Sequence, residues 1–122
     1  EHRSYGEELA LCQRYYYLHA TANNKNIGMG AYYTANYLTC AFTFPVQMRT
    51  TPTLLHNTGT SYYRIWRNNG ADDFDSFNQG IQSASETGCG LDASTNVSGT
   101  IGFGGRIITQ SGSARVAFDA EL

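Results

Sequence analysis

Phe42, Phe44, Val46 and Met48 occupy every second position of residues 42–48, a spacing that tightly limits how this chain can fold. Side chains alternate between the two faces of a strand, so all four point into one core while Thr43, Pro45, Gln47 and Arg49 point away. Two features complicate the strand. Pro45 has no amide hydrogen to give to a ladder, which predicts an edge position or a bulge. Thr51-Pro52 then predicts a turn or extended break before the next apolar run.

The rest of the chain has to supply partners for that strand. At 122 residues, with 41% hydrophobic and only 15% charged side chains, it suits one domain with one core. Thirteen glycines, nine tyrosines and many Thr, Ser and Asn residues fit short strands joined by polar turns, hence an all-β fold. Ser4-Tyr5-Gly6-Glu7 has the form of a capping box, and Tyr5, Leu9, Cys12 and Tyr16 follow at helical spacing. One short helix is therefore expected, ending near Gln13 or Arg14. Strands are expected at residues 15–20, 27–33, 37–48, 53–57 and 61–67, with Gly28 and Gly30 allowing a bend or a close backbone approach. Asn68-Asn69-Gly70 predicts a tight turn. Residues 78–105 read as loops with one or two brief strands, placed at residues 79–84. Residues 105–110 and 114–122 read as a terminal hairpin around Ser111-Gly112-Ser113, and Val116, Phe118, Ala120 and Leu122 repeat the half-buried alternation. About eight strands and one helix in residues 4–122 predict a jelly-roll-like two-sheet β-sandwich, with residues 1–3 as a linker from an upstream module.

The formal net charge is -2, and the eight Lys and Arg residues are scattered singly, so no basic patch offers a footprint for nucleic acid. No apolar run is long enough to cross a bilayer as a helix, and membrane insertion is not expected. Cys12, Cys40 and Cys89 match neither a disulfide framework nor the close ligand pairs of a zinc site. Cys12 and Cys40 are expected to be small buried hydrophobes, and Cys89, between two glycines, to be exposed.

Three stretches go beyond pattern. Glu1-His2-Arg3-Ser4-Tyr5-Gly6-Glu7-Glu8-Leu9-Ala10-Leu11-Cys12-Gln13-Arg14-Tyr15-Tyr16, then Phe44-Pro45-Val46-Gln47-Met48-Arg49-Thr50-Thr51-Pro52-Thr53, then Gly88-Cys89-Gly90 with Gly102-Phe103-Gly104-Gly105, resemble a C-terminal domain of tail-fibre-like and structural proteins of phages and prophages. The likeness is fullest over the first third and the central strand. It implies a distal fibre or adhesin domain of the virion, a β-sandwich, homotrimeric, in contact with a host-surface glycan or receptor. It transfers no set of binding residues, and fold alone does not settle function.

Chemistry is sparse. His2, His19 and His56 are not accompanied by a Gly-x-Ser-x-Gly elbow, and His56 reads as a strand-end residue rather than a base. Asp72, Asp73 and Asp75 form the acidic cluster, but the rest of a calcium loop is missing and a carboxylate pair for glycoside hydrolysis is not evident. The glycines of residues 102–105 lack the Lys-Ser/Thr of a phosphate loop. No catalytic residue, metal or cofactor is assigned. The surplus lies in aromatics: Tyr62, Tyr63 and Trp66, with Arg64, Arg67, Asn68, Asp72 and Asp73, combine flat apolar faces with planar hydrogen-bonding groups of the kind that seat sugars. The competing reading puts Tyr63 and Ile65 in the core and Tyr62 and Trp66 in the second sheet or a subunit interface, where Tyr, Trp and Arg are also enriched. The expectation is a non-enzymatic, homotrimeric attachment domain. Its rivals are a structural trimerisation cap and, behind it, a polysaccharide-degrading tip.

Overall fold

The alternating pattern of residues 42–48 is met by two facing antiparallel sheets. The computed structural model describes residues 4–67, 70–78 and 83–121. Helix α1 (Tyr5–Gln13) is followed by β1 (Tyr16–Thr21), β2 (Asn26–Thr34), β3 (Tyr37–Thr43), β4 (Thr53–His56), β5 (Tyr63–Arg67), β6 (Gly70–Phe74), β7 (Gly88–Ala93), β8 (Gly104–Thr109) and β9 (Arg115–Asp119). The small sheet has the order β1-β9-β4 and the large sheet β6-β5-β8-β2-β3-β7. The first strand pairs with the last, β2 with β8, and β5 with β6. This nesting is the pairing scheme of a jelly roll. The departure from it is β7, which extends the large sheet beside β3 instead of joining β4.

The capping box forms as expected, with Ser4 Oγ accepting from the Glu7 amide and Glu7 accepting from the Ser4 amide, both at 3.2 Å. The helix it starts has no buried residue, so Cys12 is exposed and not the core side chain its neighbours suggested. Cys89 is the opposite correction. It pairs with Phe42 across β7 and β3 and is buried beside Cys40; burial pushes the Cys40 thiol up to about 11 and the Cys89 thiol to about 12.

Burial alternates through residues 42–48, with Phe44 and Met48 buried, Phe42 and Val46 only half-buried, and Pro45 and Gln47 exposed. The strand itself stops at Thr43, however, and β3 lies between β2 and β7, so Pro45 marks neither an edge strand nor a bulge. Beyond the break the Phe44 and Met48 amides donate to the carbonyls of Thr87 and Glu86, and Pro45, having no donor, sits where the ladder has ended. The expected terminal hairpin is also replaced: β8 pairs with β2 and β5, β9 with β1 and β4, so residues 110–114 carry the chain from one sheet to the other. Residues 79–82 of the brief strand expected at 79–84 lie outside the described residues. The strand that forms in this region is β7.

Two aromatic clusters fill the space between the sheets. Phe118 of β9 has ring centroids 5.1 Å from Phe44 and 5.3 Å from Phe42, with Tyr17 stacked on it at 6.5 Å. Tyr63 of β5 meets Phe77 at 4.9 Å and Phe74 at 5.8 Å. The Tyr63 hydroxyl donates to the carbonyls of Asn57 (2.6 Å) and Arg115 (3.1 Å), tying the large sheet to the small one. Gly30 is required by the close approach foreseen for it: a Cβ there would come within 2.7 Å of both Ile107 Cδ1 and the Thr39 carbonyl oxygen.

Candidate functional site

The strand period divides the residues of the β5–β6 hairpin into two groups. Tyr63 and Ile65 point into the core and are fully buried, so Arg64 and Trp66 lie on the outer face of the large sheet. Asp73 is in register with Arg64, and the pair is bidentate: Nε to Oδ1 at 2.5 Å and Nη2 to Oδ2 at 3.1 Å. Asp73 holds the Arg64 guanidinium further above its ordinary range. The same guanidinium carbon lies 5.1 Å from the centroid of the Trp66 ring, which is 42% exposed. Three of the eight residues singled out from the sequence therefore form one outward surface: a ring, a planar cation and a carboxylate.

The others have structural work. Tyr63 is core, which removes it from any ligand surface, and burial pushes its phenol up to about 12. Asp72 faces inward and accepts from the Tyr32 hydroxyl (3.0 Å) and the Ser98 amide (2.9 Å), holding residues 97–99 against the sheet. Burial first, then Asp72, raises the Tyr32 phenol. Arg67 lies over Tyr32 at 5.9 Å, with its Nε buried and unpaired among the described residues. Tyr62 is half-buried against the core. Asn68 lies outside the described residues.

The histidines are placed by packing. His19 stacks on Phe42 at 4.6 Å; its Nε2 donates to the Ile27 carbonyl oxygen at 2.6 Å, and its Nδ1 lies 3.0 Å from the Tyr17 hydroxyl. His56 ends β4, as its sequence position suggested; burial lowers its pKa. Among the described residues no group of three His, Cys, Asp or Glu side chains is arranged to hold a metal ion.

A second feature of the outer face was missed in the sequence. Where β3 and β7 run side by side, small residues leave the sheet surface low: Thr39, Ala41 and Gly90 form the floor of a concavity of about 890 Å³. Tyr33, Tyr37 and Asp92 stand around it. Asp92 is 8% exposed and accepts from Tyr37 Oη at 2.6 Å and Thr39 Oγ1 at 2.9 Å. The hydrogen bond to Asp92 raises the Tyr37 phenol. A shallower hollow of about 290 Å³ shares Thr39 and Ala41 and brings in Met29 and Ala31 of β2. The available signal was the exposed member of the Tyr32-Tyr33 pair; Asp92 had none, because β7 lay in a stretch that read as loop.

Comparison of the chain with models of known families, with curated proteins and with solved structures finds no match.

Proposed function

We propose that this is a non-enzymatic attachment domain of a phage tail appendage that binds a host-surface glycan or receptor through the outer face of its large sheet. The observation that carries the reading is the outward grouping of Trp66 with the Arg64–Asp73 pair: a half-exposed ring offers a flat apolar face to sugar C–H groups, and a planar ion pair beside it offers donors and acceptors at fixed angles. The resemblance of residues 1–16 and 44–53 to phage fibre domains supplies the biological setting.

Homotrimeric assembly belongs to the same proposal and is supported by α1. Tyr5, Leu9 and Cys12 are spaced by four and three residues, the repeat of a coiled-coil seam, yet all three are exposed, Tyr5 at 82%. A nine-residue helix with nothing buried has little to hold it in water, and copies packing on this seam would supply what is missing. Three weak sites on one tip would then act together. The rival reading, a structural cap, is favoured by half-exposed Leu18 and Leu55, which flank Ala117 across the outer face of the small sheet. Binding of the fluorescently labelled domain to host cells, with and without Trp66→Ala, tests the proposal: loss of binding in the variant supports it, and absence of binding by the unmodified trimer favours the cap.

A further inference from the structure

The concavity between Tyr33 and Asp92 has no part in the Trp66 surface, and its chemistry is specific enough to name a ligand. Its floor is flat because Thr39, Ala41 and Gly90 are small. One wall is the Tyr33 ring, 73% exposed, which meets Tyr37 edge to face at a centroid distance of 6.2 Å and so keeps a face free. The other wall carries Asp92. An ionised carboxylate has about four acceptor positions. Tyr37 and Thr39 fill two of them, and among the described residues no cation pairs with Asp92. A carboxylate this buried and this incompletely satisfied is a strong acceptor for whatever fills the space beside it.

Two ligand classes suit a carboxylate beside tyrosines: an ammonium group and a polyol. The ammonium class wants rings converging on one point, whereas Tyr33 and Tyr37 stand edge to face and offer one free face. Hydroxyls of Thr34 and Ser83 also border the space, and an ammonium ion brings no acceptor for them. A sugar ring brings an apolar face for Tyr33, paired hydroxyl donors for Asp92 and acceptors for the neighbouring hydroxyls. We propose that the concavity lined by Tyr33, Tyr37, Thr39, Ala41, Gly90 and Asp92 is a pyranose-binding subsite, with Tyr33 as platform and Asp92 as the acceptor for adjacent ring hydroxyls. The subsite rests on the attachment reading. It lies on the same outer face as Trp66, with Met29 of β2, 67% exposed, on the sheet between them.

The test is a set of proton–nitrogen correlation spectra of the full chain, titrated separately with free methyl pyranosides (glucoside, galactoside, mannoside, rhamnoside and N-acetylglucosaminide) and with tetramethylammonium chloride. Saturable shifts from at least one sugar at the Thr39, Ala41, Gly90 and Asp92 amides are expected, with affinity at least about tenfold weaker in Tyr33→Ala and in Asp92→Asn. Tyr33 is exposed, so its truncation leaves the fold intact and keeps the test valid if Asp92→Asn does not fold. Sugar-induced shifts confined to Arg64 and Trp66 overturn the subsite and leave the attachment reading standing. Saturable shifts at the concavity from tetramethylammonium alone overturn the sugar class. No saturable shift from any sugar, together with no binding to host cells, overturns both.

Discussion

Phe118→Ala is the sharpest probe of how the two sheets are joined. Phe118 is fully buried in the small sheet and touches rings supplied by β3 and the segment after it, with Tyr17 behind. Truncating a buried phenylalanine costs about 3–5 kcal/mol, through lost transfer energy and the cavity left behind. Domains of this kind have roughly 5–15 kcal/mol in total, so the substitution removes a large part of the margin. At roughly 2.1 cal/mol/K of unfolding entropy per residue, a 122-residue chain loses about 4 °C per kcal/mol, and Tm should fall by roughly 12–20 °C. Urea denaturation followed by near-ultraviolet circular dichroism measures it, with Tyr33→Ala as a surface control expected within about 0.5 kcal/mol of the parent. A loss below about 1.5 kcal/mol, or a transition that splits in two, would refute the claim that this ring joins the sheets into one cooperative unit.

Three further outcomes follow from named contacts. His56 is half-buried, with its Nε2 atom buried and unpaired among the described residues, and its pKa is lowered, so between that value and the unfolded value of about 6.5 the unfolded chain binds more protons. Stability should be full above about pH 6.5 and decline as pH falls through that window; a His56→Leu variant with the same slope would show that another group is responsible. Gly105→Ala should cost about 3 kcal/mol or prevent folding, because its Cβ would overlap the Trp66 carbonyl oxygen; a stably folded variant with unchanged Tm would contradict the β5–β8 packing described above. In a trimer built on α1, the exposed Cys12 thiols face one another, so a short bis-maleimide should give covalent dimers at low concentration; monomer alone, with Cys12 fully modified, argues against the seam.

The sandwich was legible because residues 63–67 alternate no less than 42–48; in β9 the expected half-buried alternation fails, because Ala117 is buried with Val116 and Phe118 between β1 and β4. What the residues did not reveal was the partner of each strand. Ser111-Gly112-Ser113 looks like a hairpin turn because local chemistry is the same whether the chain returns to its own sheet or crosses to the other. Pro45 could be read as a ladder defect, and only the placement of β3 between β2 and β7 shows that the ladder simply ends before it. The site was half legible. Arg64, Trp66 and Asp73 fall together because hairpin register is a local property, and the same alternation turns Asp72 inward opposite Ile65; what the residues did not show was its partner there, Tyr32, forty residues away in sequence. Asp92 was invisible because Gly88 and Gly90 leave its strand without an alternating apolar pattern, and its importance comes from Tyr37 and Thr39 on a strand more than fifty residues earlier. Cys12 and Cys89 exchanged their expected places for a similar reason: apolar neighbours do not bury a residue unless the element carrying them is itself packed.

The claim on which the account turns is that the outer face of the large sheet binds a glycan. The direct measurement is a glycan array probed with the domain, the unmodified protein beside Trp66→Ala and Tyr33→Ala. The account predicts binding to at least one glycan by the unmodified protein, and a loss of about 2 kcal/mol, roughly thirtyfold in affinity, on removal of an aromatic anchor. A blank array from the folded domain, or signal undiminished in both variants, would contradict it.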